Sequence, residues 1–377
     1  MTAVTARLAD GVRQVPREAW DACARTGNPF VGHDFLSILE ESGSVGGRSG
    51  WQAVPIVVDG DDGAPVAVAP AYAKSHSQGE YVFDHAWADA FERAGGRYYP
   101  KLQLAAPFSP VPGPRLLLRD GNAAPALLAA VEAVVDQHGL SSAHATFVSP
   151  EQLPLFERQG WLIREGVQFH WANDGYATFD DFLAALASRK RKAIRKERAA
   201  AVEGLTIRHL TGPELTEAHW DAFWRFYQDT GSRKWGRPYL TRRFFSLLGE
   251  RMADRTLLVL AERDGRPIAG ALNLLGADTL YGRYWGCVEE VPFLHFELCY
   301  YQAIEAAIAR GLRFVEAGAQ GEHKLARGYA PVATYSAHYL PDPNFREAVA
   351  DYLRRERAGM AAERDYLEAF TPFKRAG

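Results

Sequence analysis

Gly318-Ala-Gln-Gly-Glu-His-Lys-Leu-Ala-Arg-Gly328 closes the stretch that decides how this chain folds. Before it, an apolar helix from Leu298 to Ala309 is expected to end at Gly311 and feed an apolar strand, Leu312 to Ala317. That strand stops in a loop holding three glycines, two cations, a His and a Glu. Buried packing does not need such a mixture, whereas an active-site edge often uses it. Read outward, Trp285 to Leu340 is strand, loop, helix, strand, tight polar loop and final strand.

The same pattern occurs earlier in the chain. Asp62-Gly-Ala-Pro-Val-Ala67 returns 202 residues later as Asp264-Gly-Arg-Pro-Ile-Ala269. In each copy an apolar strand (Ala53 to Val58; Thr256 to Ala261) enters an Asp-Gly turn and a second apolar strand leaves it, a hairpin signal because Gly admits positive φ. Apolar-periodic helices follow, Ala126 to Gln137 and Tyr300 to Arg310, each ending in a Gly-Leu pair, Gly139-Leu140 and Gly311-Leu312. Gly stands there as the C-terminal cap. Short strands come next, Ala143 to Val148 and Arg313 to Ala317. Asp62 lies 77 residues before Gly139 and Asp264 only 47 before Gly311, so the first copy carries about 30 extra residues, placed between Asp84 and Pro114. The order argues for a duplicated α/β domain. One division is expected near Trp171 to Ala177, giving domains 1–172 and 173–377. Thr178 then caps a helix over Phe179 to Ala187, with Asp181 favourable in its first turn. Phe345 to Phe370 reads as a long C-terminal helix.

Bulk properties bound the function. A chain of 377 residues with 47% apolar and 12% aromatic residues can bury sizeable cores in two domains. Its net charge of −3 excludes a general polyanion binder; DNA is not an expected partner, and affinity for phosphate or RNA must be local. Three scattered cysteines imply neither a disulfide framework nor a metal site. No signal peptide and no transmembrane segment is read, so a soluble, cytoplasmic protein is expected.

Two long runs carry a resemblance. Phe293-Leu-His-Phe-Glu-Leu298 through Gly318-Ala-Gln-Gly-Glu-His-Lys324 to Tyr335-Ser-Ala-His338 forms one. Asn28-Pro-Phe30 to Leu36, Tyr98-Tyr-Pro-Lys101 and Pro110-Val-Pro-Gly113 form the other. Together they resemble a bacterial family of FemAB-like N-acyltransferases, similar to peptidoglycan aminoacyl transferases, and the likeness covers nearly the whole chain. It implies two tandem GNAT-like (acyl-CoA N-acyltransferase) domains with mixed sheets flanked by helices, the active site lying in the second. It also implies transfer of an acyl or aminoacyl group to an amine by direct attack in a ternary complex. Acyl-CoA is the implied donor and aminoacyl-tRNA the alternative; the acceptor is a small-molecule or cell-wall-precursor amine. The rival from another class is an inactive module that recognises a cell-wall precursor or RNA.

Lys324 precedes Gly328-Tyr329 much as a Lys precedes a Gly-aromatic pair in FemAB-type enzymes, and it is the first catalytic candidate. Acyl transfer needs positive charge at the developing oxyanion or the carrier phosphates. Arg327 shares that task, or both are surface cations on a solvated loop. Glu297, His323, His295 and Glu322 are the candidate bases, since a His or a raised-pKa Glu accepts a proton near neutrality. The helix start near Phe296, with Gly318 and Gly321, is the candidate carrier-phosphate site, although Val291-Pro-Phe-Leu294 replaces the usual phosphate loop of GNAT enzymes. In Arg189-Lys-Arg-Lys-Ala-Ile-Arg-Lys-Glu-Arg198, the cations Arg191, Lys192 and Arg195 offer a phosphate-binding stripe or a solvated face. Asp84, Trp87, Lys101, Trp235, Arg283, Trp285 and Tyr329 are the candidate substrate contacts. For the insert residues among them, a local core is the equal alternative. No His/Cys cluster argues for a metal and no Ser elbow for a hydrolase.

Overall fold

The structure is a computed structural model that describes residues 5–234, 238–318, 321–368 and 370–374. Its contacts group into two compact units. Unit 1 comprises Met1–Gly166 and Ala333–Ala362, unit 2 comprises Val167–Val332 and Glu363–Gly377. Against the expected single division at 172/173, the chain passes between the units at 166/167, 332/333 and 362/363.

The first strands are β1 (Thr5–Leu8), β2 (Trp51–Ala53), β3 (Ile56–Asp59), β4 (Pro65–Ala69) and β5 (Ala71–Lys74). Next come β6 (Lys101–Leu104), β7 (Leu117–Leu118), β8 (Ala143–Val148) and β9 (Leu162–Ala172). They are followed by β10 (Thr206–Leu210), β11 (Thr256–Arg263), β12 (Arg266–Leu275), β13 (Thr279–Cys287), β14 (Phe314–Glu316) and β15 (Ala330–Tyr339).

In unit 1, β1-β3-β4-β7 form a small antiparallel sheet, while β15, β8, β6, β5 and β2 line up in a second, mixed one. The first hairpin of the repeat is β3–β4, and Pro70 separates β4 from β5, so one long strand is divided between two sheets. Proline cannot donate to a ladder, which accounts for the break. The helix Ala124–Gln137 places Leu127, Leu128, Val131 and Val135 over the apolar strand faces.

Unit 1 also encloses a polar cluster. Lys101 Nζ donates to Glu80 at 2.8 Å and to Asp84; Tyr98 Oη donates to Asp84 at 2.7 Å. His144 on β8 faces His338 on β15, with their Nδ1 atoms 2.7 Å apart. Each Nε2 meets a serine two residues back in the chain, Ser142 at 2.8 Å and Ser336 at 3.0 Å. Two Ser-Ala-His triplets therefore close on one another.

Unit 2 orders its strands β10-β11-β12-β13-β14-β9. The second hairpin turns at Asp264-Gly265, both with positive φ (51° and 73°), as a two-residue turn between twisted strands requires. β11 is buried along nearly its whole length, matching its unbroken apolar run. The helix that crosses from β13 to β14 starts at Leu294, two residues before the expected Phe296, and runs to Ala309. Residues Glu297–Tyr301 within it form a π-helical turn. Its apolar side, Leu298, Tyr301, Ile304 and Ala307, packs on β11–β14 together with Trp171 and Phe182. Thr178 caps Phe179–Ala185 as expected, in a reciprocal capping box with Asp181. That helix then breaks at Leu186, and the basic segment starts its own helix, Ser188–Ala201. The fold is of the expected α/β class, mixed sheets flanked by helices.

Candidate active site

The site in unit 2 begins with a disagreement between two strands. β13 runs parallel to β14 for three residue pairs, Thr279–Tyr281 with Phe314–Glu316, and then continues to Cys287 while β14 stops. On its other edge, β13 stays paired to β12 as far as Cys287, with one shift: Asn273 opposes Gly282 and Leu272 opposes Tyr284. Arg283 is the extra residue of this bulge. Bulges turn side chains out of the regular alternation, and they recur beside active sites. A small cleft opens there, lined by Asn273, Gly282, Arg283 and Trp285 from the strands and by His295, Cys299 and Tyr300 from the π-containing helix. Gly286 keeps the strand close to the helix behind it, because a Cβ there would lie 2.1 Å from the Phe226 carbonyl oxygen.

The polar loop after β14 folds as a short helical turn, Glu322–Arg327, on Gly321. Lys324 points inward: it is 1% exposed and donates to the Gly318 carbonyl at 2.8 Å. Burial brings its ammonium down to about 8; Cys299 opposes the shift and the Arg283 charge adds to it. Arg327 is 6% exposed, donates to Glu197 at 2.9 Å and to the His323 carbonyl at 2.8 Å, and stacks on the Phe296 ring at 3.5 Å. Surface cations on a solvated loop, the alternative left open by the sequence, do not describe these two. His323 is exposed, and its Nε2 lies 2.8 Å from the Tyr300 hydroxyl. Tyr300 in turn lines the cleft, where His295 packs edge-on against Trp285 at 5.3 Å.

The sequence matches, over residues 11–375, the family described as FemAB-like, peptidoglycan biosynthesis/recognition. This chain belongs to the FemAB-like family. No curated protein matches the sequence. Among solved structures it is similar to FemX, at 13% identity with a TM-score of 0.57, over 89% of this chain and 98% of that one. It is also similar to L-PGS from Bacillus licheniformis, at 11% identity and TM-score 0.51, over 87% and 98% of the two chains. A conserved protein of unknown function from Bacteroides thetaiotaomicron gives 12%, 0.51, 89% and 100%. At such identities the likeness is one of fold, an α/β arrangement of mixed sheets flanked by helices.

Not every candidate residue reaches the cleft of this FemAB-like chain. Asp84, Trp87 and Lys101 are at most 4% exposed and belong to the interior of unit 1, where Lys101 holds the Asp84 carboxyl low against the opposing effect of burial. They correct the substrate-wall reading in favour of the local core. Glu297 is fully buried, and its carboxylate is taken up by Arg198 (2.9 Å) and Gln302 (2.7 Å). A base so committed is a poor proton acceptor, and we regard it as a structural anchor. Lys192 and Arg195 are exposed, Arg195 paired with Asp180 at 2.9 Å, and Arg191 is half-buried. The inward cation of that run is Arg198, which binds Glu297 and Glu305. Tyr329 is 1% exposed and packs its ring on Tyr300. Gly318 supplies the carbonyl for Lys324, and Gly321 takes a positive φ of 122°. Trp235 and the side chain of Glu322 lie outside the described residues.

Three polar residues on the strands of unit 2, of which Asn273 lines the cleft, were not among the candidates. Asn273 is 1% exposed, and its Oδ1 has no hydrogen-bond partner among the described residues. A lone amide in the apolar run Ile268 to Leu275 was the signal for it. Glu316 ends β14 opposite His170; its Oε2 is enclosed without a partner among the described residues, and burial raises its carboxyl to about 8. His170, whose imidazole burial and the Lys324 charge bring to about 4, completes the group.

Among the described residues, no three His, Cys, Asp or Glu side chains are grouped to hold a metal ion, and no helix is long and apolar enough to cross a membrane.

Proposed function

We propose that this FemAB-like chain is an N-acyltransferase working in the unit 2 cleft. It would move an acyl or aminoacyl group from a coenzyme A thioester, or from aminoacyl-tRNA, to a primary amine of a peptidoglycan precursor. The observation that carries the reading is the separation of β13 from β14, with the bulged Arg283 in the cleft wall and the buried Lys324, itself not among the lining residues, within electrostatic reach of Arg283 and Cys299. Family membership supports the reaction class.

The chemistry needs two proton movements. The attacking ammonium must lose a proton, and the departing thiolate or ribose oxygen must gain one. Tyr300 and His323, in contact at 2.8 Å, give the first proton a path from the cleft to solvent. Lys324, at about 8, is ionised through most of its population at neutrality and can either steady the oxyanion or protonate the leaving group. The amine adds to the carbonyl, the tetrahedral intermediate collapses, and no bond to the enzyme forms. The Val291–Leu294 segment in place of a glycine-rich phosphate loop leaves the donor's phosphates to other contacts, so both donors are tested.

The test is amine-dependent release of free thiol from acetyl-CoA and longer acyl-CoAs, run beside deacylation of aminoacyl-tRNA. Lys324→Ala should lower kcat about 100-fold on whichever donor is used. Unchanged turnover in that variant would remove the assignment.

A further inference from the structure

None of the three cysteines is in a disulfide. Cys23 is buried, donates to the Pro65 carbonyl at 3.6 Å, and has its thiol pushed up by that burial. Such a thiol is inert. Cys299 is placed differently: it is half-buried on the π-helical turn Glu297–Tyr301 and lines the cleft of unit 2, with Arg283 in the same wall. Lys324 is the second part of its setting. The enclosed ammonium donates to a neutral group, the Gly318 carbonyl. Burial and the Arg283 charge disfavour its proton, and Cys299 favours it. That attraction is mutual, so the ammonium also favours the Cys299 thiolate over the thiol. Cations beside a partly exposed cysteine make it nucleophilic. The titratable groups within reach of the sulfur are Lys324 from the polar loop, Tyr329 just before β15 and Tyr300 of its own helix, while Arg283 and His295 share the cleft wall. A third observation points to a ligand. Asn273, 1% exposed, lines the same cleft, and its Oδ1 has no hydrogen-bond partner among the described residues. Its amide nitrogen donates to the Leu257 and Ala271 carbonyls at 3.2 and 3.4 Å, which fixes the oxygen beside Gly282, 3.4 Å from where a Cβ would stand. Native proteins seldom leave an enclosed acceptor without a donor, so an occupant of this cleft brings an N–H. The charges of Arg283 and Lys324 favour an occupant that is anionic elsewhere.

We propose that Cys299 is a modification site, a reactive thiol that takes anionic, amide-bearing disulfides by exchange and is capped by them reversibly. The Cys299 thiolate attacks one sulfur of the disulfide. A new S–S bond forms to Cys299, the old one breaks, and the departing thiolate takes up a proton. The electrons that Cys299 gives up go to the released thiol, so no further oxidant enters. The inference stands apart from the transferase reading and goes beyond it: a capped Cys299 fills the cleft against any substrate, and a free thiol reopens it.

Oxidised glutathione, anionic and rich in amide N–H groups, is the probe, with the dicationic cystamine as its counterpart. Intact mass and peptide mapping of the folded chain at pH 7 should show one glutathione adduct, on Cys299, removed by dithiothreitol and absent from Cys299→Ser. Each rate is divided by that of the same disulfide with N-acetylcysteine; glutathione should then exceed cystamine about tenfold. Alkylation of Cys299 by iodoacetamide should titrate with a midpoint below the ordinary thiol value of about 8.5. Lys324→Met should move that midpoint up and slow the reaction at pH 7 about tenfold, and Lys324→Arg, which keeps the charge, should restore both. Preferential capture on Cys287, no adduct on the folded protein, or equal use of cystamine would overturn the proposal. So would a Lys324→Met variant that reacts like the wild type, or a loss that Lys324→Arg does not restore. An adduct on Cys299 in a chain without acyl transfer would leave this inference standing and remove the transferase; acyl transfer with an unreactive Cys299 would do the reverse.

Discussion

A lysine whose ammonium is enclosed loses its proton early, and that sets the pH behaviour of the site. With Lys324 at about 8, turnover that needs its proton should fall above pH 8. Lys324→Arg, which stays charged, should flatten this alkaline limb while lowering the rate, as a pH–rate profile would show. Glu316 makes the opposite kind of prediction, through stability. Its folded value of about 8 lies above the ordinary 4.5, so the native state holds the extra proton between these limits and stability declines as pH rises through that window. Glu316→Gln should remove that decline, so urea melts at pH 5 and pH 8 should differ less in the variant than in the wild type. The position of Lys324 could be read from its loop, because a cation between glycines after an apolar strand is a local pattern. Its burial could not be read, since the groups that interact with its side chain, Cys299, Arg283 and His170, come from other elements. Asn273 was legible in principle as one polar residue in an apolar strand; Glu316, ending a strand as many surface acids do, was not.

At the scale of elements, the basic helix Ser188–Ala201 and the π-containing helix are clamped by two ion-paired groups. Arg198 holds Glu297 and Glu305; Glu197 holds Arg327 and accepts from the Tyr301 hydroxyl. Arg198→Ala would strand a fully buried carboxylate, a loss of about 3–5 kcal/mol in urea unfolding. Arg195→Ala, removing an exposed pair, should cost no more than about 0.5 kcal/mol. The hairpin, helix and Gly-Leu signals were visible because each depends on neighbours in sequence. Which of seven clustered cations turns inward depends on the helix it meets, and the run alone says nothing of that. The bulge at Arg283 was hidden for the same reason: it exists only in the pairing of β13 with β12.

For the whole molecule, duplication was legible and the division of the chain was not, because the composition near residue 172 marks a turn while the contacts follow β15 and the C-terminal helix into unit 1. His144 and His338 make that attachment sensitive to acid. Burial depresses both imidazoles, His144 to about 3. The unfolded chain binds their protons first, so stability should fall as pH drops below about 6.5. The pair His144→Leu with His338→Leu should lessen that acid slope, measured by denaturant midpoints between pH 7 and 4.

The segment Ala333–Ala362 completes a unit whose first residue is Met1. During translation the amino-terminal part of unit 1 therefore leaves the ribosome without its last strand, and β8 waits with an open edge until β15 has been made. Residues 167–332, contiguous in the chain, are available to collapse first. Order of synthesis and order of folding run in opposite directions here, and the nascent chain would need its exposed β8 edge shielded until β15 emerges.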